Sequence, residues 1–150
     1  MEILTTELSN RESSHEVNKK LFIMTIVGGA AFWATNFAIS LTPIAAEYRA
    51  ALSISYLPML VESLIGGLII GFFVSYLLLH YFDKIPTREP VLKSVILSSV
   101  ALIMVTVLLE GPAHFLEPGD ALRYFLIGAL FNVLRIFALG IAVGYAYKRL

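Results

Sequence analysis

Residues 21–41 run for 21 positions without a charged side chain, and at 1.5 Å of rise per residue a helix of that length matches a bilayer hydrocarbon core of about 30 Å. Three further segments share this character: residues 57–82 hold one carboxylate, Glu62; residues 91–109 are uncharged apart from Lys93 in the first turn; and residues 122–147 hold Arg135 near their middle. In lipid only helices and closed barrels satisfy their own backbone hydrogen bonds. The two-residue alternation of barrel strands is absent. The sequence therefore predicts an all-α membrane protein, a four-span transmembrane helical bundle over residues 21–150, with residues 1–20 as a polar N-terminal segment.

Composition agrees, with 58% hydrophobic and 15% charged residues against about 25% charged in a soluble domain. A formal net charge of zero gives no bulk attraction to nucleic acid, and the absence of cysteine removes disulfides, thiolate metal sites and cysteine nucleophiles. His15, His80 and His114 fall in separate polar segments, so they do not form a metal motif. No nucleophile elbow, zinc-protease helix or phosphate-binding loop is present, and the glycine pairs Gly28-Gly29 and Gly66-Gly67 lie within apolar stretches. The expectation is a non-enzyme without metal or cofactor.

Orientation follows from the distribution of basic residues. With the polar connections assigned alternately to the two sides, Arg11, Lys19, Lys20, Lys84, Arg88, Lys93, Lys148 and Arg149 share one side, leaving Arg49 and Arg123 on the other. The positive-inside rule then places both termini in the cytoplasm, and the plasma membrane is the expected location. The first apolar stretch exceeds the 7–15 residues of a cleaved signal, so it is read as a retained span. Residues 1–20 have the composition of a frayed tail, although Ser13 followed by Glu16 has the spacing of a capping box. Most tyrosines stand near predicted span ends, as an interfacial belt requires, whereas Trp33 stands within a span and needs a partner for its indole N–H. The link 83–90 is short, so the second and third spans are expected to be antiparallel neighbours.

Each span also has one polar stripe at helical spacing. Gly128, Asn132 and Arg135 share a line on the fourth, Glu62 and Gly66 on the second, Ser99, Thr106 and Glu110 on the third, and Gly29, Asn36 and Ser40 on the first. Glu62 lies five residues, roughly 8 Å, inside the outer end of its span, and Arg135 lies eleven residues, roughly 16 Å, inside its own. Helical side chains lean toward the N-terminus, here the outer leaflet, and a long stem extends the reach, so the two heads come to similar depth. A lone mid-span arginine costs about 2.5–3.5 kcal/mol on insertion. Glu62 is therefore expected to be the main partner of Arg135 with Asn132 as an auxiliary acceptor. Asn36, Glu110 and His114 complete a candidate binding or conduction cluster at the outer mouth.

Two small-residue motifs, Gly67-x-x-x-Gly71 and Gly140-x-x-x-Gly144, lie well round their helices from these stripes. They are expected to face away from the interior and to pack on a second copy or on another membrane protein. Two functions are compatible with these features. One is a small transporter or channel-like bundle built around Glu62, Arg135 and Asn132; the other is a non-catalytic accessory or scaffold subunit of a membrane complex. In either case the lipid bilayer is the primary partner.

Overall fold

The computed structural model describes residues 1–109 and 118–150. Its helices are α1 (Glu2–Ser40), α2 (Pro43–Ala51), α3 (Tyr56–His80), α4 (Pro90–Leu109) and α5 (Pro118–Arg149), with a 3-10 turn at Phe82–Lys84. No strand occurs among the described residues, and α1, α3, α4 and α5 each have the length and apolarity to cross a membrane.

Helix α1 has 39 residues, roughly 58 Å, or about twice the thickness of a hydrocarbon core. Its first half is exposed and continues into the apolar half without a break. The frayed tail and the cap at Ser13 are thus both replaced by one long helix that begins at Glu2. Residues 2–20 contain neither proline nor glycine. The Glu16–Lys20 pair at 3.6 Å adds the small support of an i,i+4 contact.

Proline marks each later start, with Pro43 and Pro90 opening α2 and α4, Pro58 in the first turn of α3, and Pro118 opening α5 four residues before the predicted span. Helix α2 occupies a segment read from sequence as a plain connection. Thr42 caps it, its hydroxyl accepting from the Ala45 N–H at 3.3 Å. The chain then turns into α3 through Ser53, whose φ of 55° is left-handed.

Both chain termini and the α3–α4 link lie at one end of the bundle, the near end, where Phe82 stacks on Tyr147 at a centroid distance of 4.8 Å. Lys93 is buried there, donating to the Phe82 carbonyl and standing 3.5 Å from the centre of its ring. Helix α2 lies at the opposite, far end.

Helix α1 is central. It packs along α3 on one side and α5 on the other, and α5 packs in turn on α4. Helices α3 and α4 touch only slightly, although a short link joins them. The expected close pairing of the second and third spans is therefore not what organises the bundle. The glycines explain the order actually seen. A Cβ on Gly71 would fall 3.0 Å from the Thr25 carbonyl oxygen of α1, and one on Gly67 would overlap the Phe32 ring. On α5, a Cβ on Gly140 would meet the Ser98 side chain, and one on Gly144 would come 2.5 Å from the Val91 Cα of α4. Both motifs thus bring backbones together within the chain, α3 to α1 and α5 to α4, which corrects the expectation that they face away from it. Close approach maximises dispersion contact where the hydrophobic effect does not separate lipid from helix. With those two pairs fixed, α3 and α4 are left apart.

Candidate functional site

A cavity of about 280 Å³ occupies the far half of the bundle. The near half is closed by Met24, Val74, Leu78, Ile136, Leu139 and Val143, of which none has measurable exposure. The polar wall of the cavity comes from four helices: Asn36 and Ser40 from α1, Tyr48 and Arg49 from α2, Glu62 and Ser63 from α3, and Asn132 and Arg135 from α5. Phe32, Ile39, Met59, Ile70 and Val105 form apolar wall between them. Gly66 belongs to this wall, and a Cβ there would meet nothing within 4 Å.

Arg135 points into the bundle. Its Nε donates to the Phe131 carbonyl at 3.2 Å, Nη1 to Asn36 Oδ1 at 2.9 Å, and Nη2 to Asn132 Oδ1. The guanidinium also stands over the Phe32 ring, 5.4 Å from its centre. Two neutral amides, one across the bundle and one a turn away on the same helix, therefore accept from the charge. Glu62 lines the same cavity but is exposed, and no ion pair within 4 Å joins it to Arg135. The expected ion pair of Glu62 with Arg135 is therefore not formed: Asn132 is an acceptor as expected, and Asn36 of the central helix accepts as well. The reason is angular. Ser63, the next residue, is buried, whereas Glu62, one step round α3, is exposed.

Asn36 is 4% exposed, and while its Oδ1 accepts from Arg135 its Nδ2 has no hydrogen-bond partner. An unsatisfied buried amide donor costs about 1–3 kcal/mol. Trp33 finds the partner its indole needs, donating to the Leu60 carbonyl at 3.1 Å. Glu110 and His114, the remaining sequence candidates, lie outside the described residues.

Helix α2 supplies what the sequence reading missed. Glu47 pairs with Arg123 of α5 at 2.7 Å, Tyr124 donates to Glu47 at 3.4 Å, and the Tyr48 ring meets Tyr124 and Phe131 edge-on. These contacts hold α2 beside the cavity mouth. Arg49 reaches inward from it, donating through Nη1 to the Ser40 carbonyl at 3.3 Å while its guanidinium lies 5.0 Å above the Tyr56 ring. The Thr42-Pro43 pair, a cap residue followed by proline at the first helical position, was the available signal for this helix.

No protein-family model, no curated protein and no solved structure matches this chain. The reading of the site therefore rests on its own geometry. A mainly apolar chamber with charged groups of both signs in its wall, closed toward the near end by a buried apolar layer, is suited to holding a small solute with polar groups.

Proposed function

We propose that the chain is a small transporter or channel-like membrane protein and that this chamber is its solute site. The near end, with both termini, faces the cytoplasm and the far end faces outward, an assignment supported by the excess of lysine and arginine at the near end. The observation that carries the proposal is the convergence of Asn36, Glu62, Asn132 and Arg135 from three helices around one cavity. A charge in a membrane helix is costly, and a cluster built only to fix helix register would gain nothing from an open chamber beside it. In this reading the buried apolar layer around Leu139 and Val143 is the closed gate of an outward-open form, and passage requires that layer to part. The test is solute flux into vesicles containing the purified protein. Glu62→Gln and Arg135→Leu should each abolish flux while the protein stays folded, and undiminished flux in both would refute the proposal.

The accessory-subunit reading has one specific observation in its favour, the projecting first half of α1, on which Ile3, Leu4 and Leu8 are exposed. If it is correct, removing residues 2–18 should release a co-purifying membrane protein without affecting the bundle.

A further inference from the structure

Arg49 and Glu62 line one cavity, carry opposite charges, and have no ion-pair partner among the described residues. Of the five N–H groups on an arginine, Arg49 directs one to Ser40. Their relative levels follow from the antiparallel register of α1 and α3. Ser40 Oγ lies 3.2 Å from the Tyr56 hydroxyl, and Trp33 reaches the Leu60 carbonyl. Asn36, one turn before Ser40, is thus level with the turn of α3 that holds Glu62. Arg49, bound at the Ser40 carbonyl, stands one turn farther out, roughly 6 Å away along the axis.

Resting on the solute-site reading above, we infer that the cavity takes a small zwitterion with an apolar body, as free apolar α-amino acids present. The carboxylate of the ligand binds Arg49 at the mouth, and its ammonium binds Glu62 one turn below. An offset of about one turn between the two levels suits charges carried on one carbon. The apolar body lies against Phe32, Ile70 and Val105, in the space that Gly66 leaves open. A simple cation would meet Arg49 and Arg135, and a simple anion would offer nothing to the Glu62 carboxylate, so a ligand carrying both charges matches more of the wall than either alone. A volume of about 280 Å³ lies at the lower limit of ligand pockets, about 300–1,000 Å³, which suits a single amino acid and not a peptide.

The test uses the full chain in lipid nanodiscs with radiolabelled L-leucine, competed by isocaproate, which lacks the ammonium, and by isoamylamine, which lacks the carboxylate. Leucine should bind saturably and each analogue about tenfold more weakly or worse, the factor expected for one charge-assisted hydrogen bond. Arg49→Gln should weaken leucine about tenfold and leave isoamylamine unchanged; Glu62→Gln should weaken leucine similarly and leave isocaproate unchanged. Gly66→Leu, whose Cβ meets nothing within 4 Å and whose side chain extends into the cavity space, should abolish binding. Absence of saturable leucine binding, equal binding of either analogue, or binding that survives Gly66→Leu would overturn the inference. The two proposals fail separately. Leucine bound but not carried into vesicles would sink transport and keep the substrate class, whereas flux of another solute, blocked by Gly66→Leu in a protein that ignores leucine, would do the reverse.

Discussion

Arg135 donates from Nη1 to the side-chain oxygen of Asn36, 2.9 Å away across two helices and 99 residues apart in sequence. This bond joins the central helix to α5 beside the cavity, and it makes a neutral amide an inter-helix acceptor of an intramembrane charge. Asn36→Leu should therefore destabilise the fold by about 1–3 kcal/mol, because it leaves a donor of a partly buried guanidinium without that acceptor. Arg135→Leu in the same background should recover part of the loss. Chemical unfolding of the singles and the double checks the coupling, and strictly additive effects would show that the two side chains do not interact.

Glu62 is predicted to behave differently. As an exposed side chain without an ion pair among the described residues, it should tolerate Glu62→Gln with stability unchanged within about 0.5 kcal/mol, while leucine binding weakens and flux is lost. A thermal-shift measurement beside a transport assay separates the two effects. A large drop in stability would mean that the carboxylate supports the fold.

Two glycines five residues apart on α3 should respond in opposite ways. Gly71→Leu forces a side chain against the α1 backbone, where a Cβ would already be 3.0 Å from an oxygen and 3.2 Å from a nitrogen, and overpacking of this kind costs about 1–3 kcal/mol or more. Gly66→Leu meets open space and should leave the melting temperature unchanged or raise it, since leucine is the better helix former. Equal damage from both would contradict the assignment of their faces.

At the cavity mouth, the Glu47–Arg123 pair is about half exposed on each side, and pairs of that kind contribute at most about 1 kcal/mol. Arg123→Gln should thus leave global stability nearly unaltered. Proteolysis or hydrogen exchange should instead show faster opening of residues 43–51, with a smaller difference from wild type at high salt.

Much of this architecture was legible in the letters. The lengths of the apolar runs gave the number of spans, because a bilayer sets a minimum helix length and lipid leaves few alternatives to helix. The stripes brought the heads of Glu62 and Arg135 to similar depth and set Asn36 and Asn132 among the polar residues of their own helices, because rise and angle per residue are constants of the helix. All four do line one cavity. The nine-residue α2 lies between two spans in a segment of the length of an ordinary connection, so its Thr42-Pro43 start was read as a link.

Periodicity gives the angle of each residue about the axis of its own helix, but not the rotation of that helix toward its neighbours. That rotation was decided by packing. Gly67 and Gly71 turned toward α1, Gly140 and Gly144 toward α4, and once those close approaches were made α3 and α4 stayed apart and a cavity remained, walled by α1, α2, α3 and α5 with Val105 of α4. The same rotation set Asn36 against Arg135 and left Glu62 on the open side. Sequence alone thus determined which groups share a depth, while tertiary structure decided which of them touch, because contact depends on how four helices are turned against one another and not on any one of them.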